Sequence, residues 1–139
     1  MFEPELAEAI LADHYRKPHH RGECEAAGAT GDTTNPLCGD EITLSLRLAE
    51  GRVACARFTG QGCAVSQAGA SLVMDLLQDR PVEEAQAVLE ALLAGLRDEP
   101  VEADLGNAAA LLSLRHNPAR VVCAGLAAEL ALQLLGEGA

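Results

Sequence analysis

The stretch that decides the fold reads Ile42-Thr43-Leu44-Ser45-Leu46-Arg47-Leu48. Apolar and polar residues alternate along it, which is the period-two pattern of a strand with one buried face. Glu50-Gly51 supplies a turn, and residues 53–59 return as a partner strand. The sequence therefore predicts a β-hairpin near the centre of the chain.

The segments on both sides of this hairpin have the composition of helices. Apolar residues recur in them at helical spacing, and Asn117-Pro118 has the form of an N-cap followed by proline at the first helical position. Residues 23–40 are rich in Gly, Thr and Asp and predict a loop with at most one short strand. Helices are predicted over residues 3–15, 63–77, 81–95, 108–114 and 117–135.

The order of these elements predicts an α+β fold, in which a small antiparallel sheet has helices packed on one face. The chain has 139 residues, which is the size of one ordinary domain. Apolar residues make up 49% of it, but it has only two Phe and one Tyr. We therefore expect a core of Leu, Val, Ile and Ala.

The charge of the chain excludes several classes of partner. It carries 21 acidic and 10 basic residues, a net charge of −11, so we expect it to bind neither nucleic acid nor an anionic membrane. The N-terminus lacks the pattern of a signal peptide, and the apolar stretch 121–135 is interrupted by Glu129 and Gln133 and is short for a membrane span. We expect a cytoplasmic protein, in which the five cysteines serve as metal ligands or reactive thiols rather than disulfides.

Three of the cysteines stand at junctions between predicted elements, where side chains from distant segments can converge. Cys38 precedes the first hairpin strand, Cys63 begins a helix, and Cys123 lies near the start of the last helix. Gly39 permits a sharp bend, so that Cys38 and Asp40 can face one ion. The helix N-terminus at Cys63 favours a negatively charged sulfur.

Three thiolates and one carboxylate suit a tetrahedral zinc ion, and they equally suit an iron–sulfur site. Zinc with these ligands has a formal charge of −2, and Arg120, on the same helical face as Cys123, is the predicted compensating cation. His116 is an alternative ligand to Asp40. The chain has no C-x-x-C or H-E-x-x-H motif, so from the residues alone these cysteines could equally be small buried core residues.

Three short motifs resemble those of the IscU/SufU family of iron–sulfur cluster assembly proteins, which are similar to the N-terminal part of NifU. In order along the chain, the three motifs read Asn35-Pro36-Leu37-Cys38-Gly39-Asp40, Gly60-Gln61-Gly62-Cys63-Ala64-Val65-Ser66 and Ala119-Arg120-Val121-Val122-Cys123-Ala124. The segment before them, from Asp13-His14-Tyr15 to Gly22, is similar to the opening segment of the family. The resemblance covers nearly the whole chain and implies a single domain over residues 1–139.

The resemblance implies that Cys38, Asp40, Cys63 and Cys123 are the metal or cluster ligands. It also implies a partner, a cysteine desulfurase dependent on pyridoxal phosphate, which delivers sulfur as a persulfide. A downstream cluster scaffold or apo-protein would then receive the product.

Three features favour the SufU type within this family. Val122 occupies the position where IscU-type scaffolds have His, and Arg120 matches an Arg of SufU-type members. The step from Cys63 to Cys123 is also long, and we assign an insertion to residues 80–106. The resemblance then implies a zinc-bound sulfur acceptor, and Cys38 is the predicted acceptor because its turn is flanked by Gly39; the alternative is a scaffold for a transient 2Fe–2S cluster. Whether the chain is an enzyme, a zinc-dependent sulfurtransferase, or a non-enzymatic scaffold stays open.

The remaining candidates receive structural interpretations. Cys24 is expected to be an exposed thiol in a polar loop, and Cys55 to pack within a strand. His19 and His20 are expected to be solvated, and Tyr15 to be a packing residue. The acidic run within residues 83–104 is expected to be a solvated face. A zinc hydrolase or deaminase is disfavoured, because four protein ligands leave no position for water and the deaminase motif is absent.

Overall fold

The computed structural model describes residues 2–137, so Met1, Gly138 and Ala139, which the predicted domain includes, lie outside the described residues. The fold is α+β, as the sequence predicts, with one three-stranded antiparallel sheet in the order β1-β2-β3. In chain order the elements are α1 (Pro4–Arg16), β1 (Ala29–Asn35), β2 (Asp40–Ala49), β3 (Arg52–Gln61), α2 (Ala64–Leu77), α3 (Val82–Leu96), a 3₁₀ helix (Gly106–Leu114) and α4 (Pro118–Gly136).

The predicted hairpin is formed by β2 and β3. Leu44 pairs with Phe58, and Leu46 pairs with Ala56, so that these side chains share the face that the helices cover, and all four are fully buried. The turn residues Glu50 and Gly51 both have positive φ, at 54° and 75°, which is the backbone geometry of a tight hairpin turn.

Strand β1 lies where the sequence predicts a loop with at most one short strand. Its residues Ala29–Asn35 alternate between half-buried and exposed positions rather than between apolar and polar types. Pairing with β2 orders this segment, since Gly31 lies opposite Leu44 and beneath the side chains of Leu130 and Leu134 of α4. A side chain at Gly31 would meet those leucines at 3.1 Å, so α4 packs close to this strand.

Helices α2 and α4 form the layer over the sheet. Helix α2 is buried along nearly its whole length, from Val65 to Leu77, because α1, α4 and the sheet all pack against it. By length and composition α4 could cross a membrane, with a mean hydropathy of 1.5, which corrects the expectation that this stretch is too short. Its packing gives the reason for its apolar character, since 56% of it is buried inside the fold.

The segment around Cys24 packs on the opposite face of the sheet, and this corrects two predictions. Cys24 is only 8% exposed and forms a disulfide with Cys55 of β3, so it is not an exposed free thiol and Cys55 does more than pack. The segment is held to the sheet because the Phe58 N–H donates to His20 O and the Cys24 N–H donates to Ser45 Oγ, both at 3.0 Å. The odd cysteine count therefore reflects one disulfide and three free thiols.

Helix α1 differs from its predicted packing at two positions. Tyr15 is 48% exposed and Leu6 is 51% exposed, so the interpretation of Tyr15 as a packing residue is wrong. The buried side of the helix instead carries Ala7 and His14. His14 can be buried although it is polar, because Ser71 of α2 provides its Nδ1 with a hydrogen-bond partner at 2.7 Å.

Candidate metal centre

The fold brings the ends of three elements together at one end of the sheet. Asp40 is the first residue of β2, Cys63 is the N-cap of α2, and Cys123 lies in the second turn of α4. Cys38 lies in the turn between β1 and β2. The Sγ atoms of Cys38 and Cys123 and a carboxylate oxygen of Asp40 all lie within 4.8 Å of one another.

The distances within this group are close to those of a tetrahedral metal site. The Cys123 thiol donates a hydrogen bond to Asp40 Oδ2 at 3.0 Å, and its sulfur lies 3.5 Å from that of Cys38. Bonds of about 2.3 Å to sulfur and about 2.0 Å to oxygen place tetrahedral ligands roughly 3.5–3.8 Å apart. Outward shifts of a few tenths of an ångström would therefore admit an ion in place of the thiol proton.

Asp40 is buried, with 1% of its surface exposed, and both of its oxygens are occupied. Oδ1 accepts hydrogen bonds from the Cys63 backbone N–H at 2.7 Å and from the Ser66 hydroxyl at 3.1 Å. Burial alone would raise the pKa of Asp40, but the hydrogen bonds from Cys123, Cys63 and Ser66 outweigh it and lower that pKa. The carboxylate is thus charged and fixed in orientation, as a metal ligand must be.

Cys63 lies beside this group and its sulfur falls outside the 4.8 Å set. The Ser66 N–H donates to Cys63 Sγ at 3.4 Å, so the sulfur caps α2. A capping sulfur lies at the N-terminal, positive end of the helix dipole. The Cys63 side chain also contacts Asp40 and Cys123, so Cys63 is placed to act as a fourth ligand beside the other three.

Cys123 has the least favourable environment for a free thiolate. Burial, followed by the hydrogen bond to Asp40 and the nearby sulfurs of Cys38 and Cys63, raises the pKa of the Cys123 thiol far above its usual value. Three sulfurs and a carboxylate in so small a volume repel one another when they are all ionised. A bound cation is the group that would relieve this repulsion, so the donor set fits a metal ion.

Two glycines shape the centre. Gly39 has φ +68° with open space around it, and it provides the bend that the sequence predicts between Cys38 and Asp40. Gly62 has φ +138°, and a side chain there would clash with Asp40 Oδ1 and lie 2.7 Å from its Cα. The absence of a side chain at Gly62 therefore lets the loop before α2 approach Asp40.

Asn35 and Ser66 are supporting residues that the sequence reasoning did not assign. Asn35 Nδ2 donates to Cys123 Sγ at 3.5 Å, and the Cys38 N–H donates to Asn35 O at 3.1 Å. Ser66 donates to Asp40, as described above. Both residues lie inside the cysteine motifs, so their proximity in sequence to Cys38 and Cys63 was the available signal.

The other predicted site residues lie outside the group. Arg120 is exposed, one helical turn before Cys123, and within residues 2–137 its guanidinium makes no ion pair; its compensating role stays a prediction. His116 has 66% of its side chain exposed and lies 3.9 Å from Asp98, so the structure does not bring it to Asp40. His19 and His20 are not simply solvated, because both contact Asp75 at 2.6 Å.

One side of the centre is open and apolar. Cys38 is exposed, whereas Cys123 is buried. Next to these cysteines, Leu37 is 94% exposed and Val122 is 51% exposed. Exposed large apolar residues beside a reactive group are typical of a surface that another protein covers.

The fold and this thiol–carboxylate site define a class of small α+β domains with a cysteine–aspartate cluster, and comparison with known families identifies the class. The family model described as NifU-like N terminal domain matches residues 7–124. The chain belongs to this NifU-like N-terminal domain family.

Two named relatives resemble the chain over most of its length. It is 33% identical over 122 residues, which are 86% of this chain and 76% of the relative, to the iron–sulfur cluster assembly scaffold protein IscU of Streptococcus pyogenes. It is 31% identical over 123 residues, which are 87% of this chain and 83% of the relative, to the zinc-dependent sulfurtransferase SufU of Bacillus subtilis.

A solved structure supports the fold. The protein of Fervidobacterium islandicum AW-1 described as a candidate scaffold for the SUF system superimposes with a TM-score of 0.85 at 22% identity. The match covers 91% of this chain and 93% of that one.

Proposed function

We propose that this iron–sulfur cluster assembly protein is a zinc-bound sulfur acceptor of the SufU type, which takes sulfur from the persulfide of a cysteine desulfurase. The observation that carries the proposal is the group formed by Cys38, Asp40 and Cys123, with Cys63 beside it. The name of the Bacillus subtilis relative, a zinc-dependent sulfurtransferase, supports the same assignment. We further propose that it acts in the cytoplasm and that residues 80–106 are the insertion of that type.

Zinc would be held by Cys38, Asp40, Cys63 and Cys123, and it would keep these sulfurs deprotonated at neutral pH. Arg120, one turn from Cys123, would balance the negative charge of this ligand set.

Cys38 is the proposed acceptor because it combines three properties. It is the exposed member of the three free cysteines, it lies on a turn that Gly39 makes adaptable, and exposed Leu37 adjoins it. A partner's persulfide can therefore reach this sulfur, while the buried Cys123 is out of reach.

The transfer is an exchange between sulfur atoms without net oxidation. The Cys38 thiolate attacks the terminal sulfur of the partner's persulfide, a new sulfur–sulfur bond forms on Cys38, and the bond within the partner's persulfide breaks. The partner's cysteine leaves as a thiolate, and the transferred sulfur keeps its proton or releases it to water. Cys38 then carries the persulfide toward a downstream scaffold or apo-protein.

The alternative is a scaffold on which a transient 2Fe–2S cluster is the cargo. The same donor set favours it, because thiolates also bind iron–sulfur clusters, and the Streptococcus pyogenes relative is named a scaffold. Val122, where IscU-type members are expected to have His, counts against this function.

The deciding experiment combines the purified protein with a desulfurase and cysteine under anaerobic conditions. We expect desulfurase turnover to rise, and peptide mass spectrometry to find one added sulfur on Cys38. The variant Cys38→Ser should abolish both effects, and the double variant Cys24→Ser/Cys55→Ser, which removes the disulfide without leaving an unpaired thiol, is the control that should retain them. Added sulfur on Cys24 alone, or a stable cluster with unchanged turnover, would overturn the sulfur-acceptor function.

A further inference from the structure

A second group of potential metal ligands lies at the far end of α2. His14 of α1, His19 and His20 of the turn after α1, and Asp75 of α2 converge there. The ligand atoms of His14, His19 and Asp75 all lie within 4.8 Å of one another. Asp75 follows Cys63 by 12 residues, which on a helix is roughly 18 Å, so this group shares no ligand with the cysteine centre.

The Asp75 carboxylate is the meeting point of the three imidazoles. Its Oδ2 lies 2.6 Å from His19 Nδ1 and 4.0 Å from His14 Nε2, while Oδ1 lies 2.6 Å from His20 Nε2. Three imidazoles around one carboxylate exceed what a simple histidine–aspartate pair requires. Imidazole nitrogen and carboxylate oxygen are together the preferred ligands of zinc and related divalent ions.

His14 is oriented as a metal-bound histidine requires. It is buried, and its Nδ1 lies 2.7 Å from Ser71 Oγ. The His19 N–H also donates to Ser71 Oγ at 2.7 Å, which fixes that hydroxyl. In the tautomer in which Nδ1–H donates to Ser71, the lone pair of Nε2 faces Asp75 and His19. A hydrogen bond from the other ring nitrogen, such as the one to Ser71, is typical of histidine ligands.

The charge state also suits a ligand, since burial and then the neighbouring His19 lower the pKa of His14. Its ring therefore keeps a lone pair near neutral pH.

The distances allow a metal ion with small shifts. Bonds of about 2.0–2.1 Å in a tetrahedron place ligand atoms roughly 3.3–3.4 Å apart. The His19–Asp75 distance of 2.6 Å would lengthen and the His14–Asp75 distance of 4.0 Å would shorten, each by less than an ångström. His19 has 52% of its side chain exposed and can move, and a cavity of about 360 Å³ lined by Asp13, Arg16, Lys17 and His19 gives access.

We propose that His14, His19 and Asp75 bind a second divalent transition-metal ion, of the zinc class, with His20 holding the other carboxylate oxygen or completing the coordination. This ion fastens α1 and the turn after it to α2, whose opposite end carries Cys63. The proposal goes beyond the sulfur-acceptor function and does not depend on it.

The test is a titration of the untagged, metal-free full-length protein with Co²⁺ under anaerobic conditions, with bound metal counted after dialysis. The cysteine centre gives intense thiolate-to-cobalt charge-transfer absorption, and a histidine–carboxylate site gives none. We expect two equivalents in the unmodified protein, of which only one contributes charge-transfer absorption.

His19→Ala and Asp75→Asn should each lower the affinity of the second site for Co²⁺ by more than about 100-fold. Even outer partners of metal ligands contribute roughly 10–100-fold to metal affinity. The charge-transfer absorption should persist in both variants and shows that they are folded. His116→Ala removes another exposed histidine, paired with Asp98, and should retain two equivalents.

Saturation of the unmodified protein at one equivalent would overturn the proposal. So would equal metal binding by His19→Ala and His116→Ala, which would leave the histidines as a hydrogen-bonded contact between α1 and α2. If His19→Ala fails to fold, Asp75→Asn decides, because it preserves the shape of the side chain; two equivalents in that variant also contradict the proposal.

Discussion

The Cys123 thiol donates a hydrogen bond to the Asp40 carboxylate at 3.0 Å, although 83 positions separate the two residues in the chain. This contact joins the second turn of α4 to the first residue of β2. The centre therefore exists only in the folded protein, and each ligand depends on the position of elements far from it in sequence.

The first prediction concerns the metal. Purified protein should contain one sulfur-coordinated zinc per chain, with zinc–sulfur distances of about 2.3 Å by X-ray absorption. Cys38→Ser, Cys63→Ser and Cys123→Ser should each lose or weaken it, because a hydroxyl is a poorer zinc ligand than a thiolate. The double variant Cys24→Ser/Cys55→Ser is the control and should retain it. Full retention in Cys63→Ser would show that this residue only caps α2.

The second prediction concerns Asp40, the one hard ligand of the set. We expect Asp40→Ala to hold zinc more weakly, through three cysteines and water, and Asp40→Cys to hold it more tightly. Both variants should transfer sulfur slowly, since the first loses the ordered exchange of a ligand and the second blocks that exchange. Chelator competition measures affinity, and desulfurase turnover measures transfer. Normal turnover with Asp40→Cys would refute a labile role for Asp40.

The third prediction uses the close approach of Gly62 to Asp40. Gly62→Ala should lower zinc affinity about tenfold or more, because its side chain would displace the carboxylate from the ligand position. Gly106→Ala is the control, since Gly106 also has positive φ, at +54°, but has open space around it. Both changes place a side chain at positive φ, which costs roughly 1–3 kcal/mol at each position, so equal zinc affinities in the two variants would exclude a role for the contact with Asp40.

The fourth prediction tests the apolar surface beside Cys38. Leu37→Glu should weaken stimulation of the desulfurase about tenfold without changing the zinc content, because Leu37 is 94% exposed and contributes little to the core. Leu6→Glu is the matched control on α1, where Leu6 is 51% exposed and lies in none of the cysteine motifs. Titration of the desulfurase with each variant provides the measurement. An equal loss in both would mean that added negative charge, rather than the position, weakens binding.

The fifth prediction concerns the disulfide between Cys24 and Cys55, which closes a loop with a sequence separation of 31. Reducing it should lower the free energy of unfolding by about 3–4 kcal/mol, mainly because the unfolded chain gains freedom. Denaturant titration with and without reductant provides the measurement. Cys24→Ser/Cys55→Ser should be insensitive to reductant. Five reactive thiols in the folded, metal-free, non-reduced protein would contradict the disulfide.

The sequence predicted the local structure well, for reasons that concern single segments. The alternation at Ile42–Leu48 fixed a strand, since one face must be buried. Asn117-Pro118 fixed the start of α4: Asn117 Oδ1 accepts from the Arg120 N–H at 3.2 Å, as an N-cap does. Strand β1 was weakly predicted, because its residues lack apolar alternation and pairing with β2 orders them.

By itself the sequence determined most of the secondary structure, the fold class and the residue types from which a metal centre can be built, because these follow from periodicity and from motifs within short segments. Only the tertiary structure decided that Asp40 and Cys123 share a hydrogen bond, that Cys24 meets Cys55, and that three histidines surround Asp75. Such contacts depend on how distant segments pack, and a pattern within one segment carries no information about its partner across the fold.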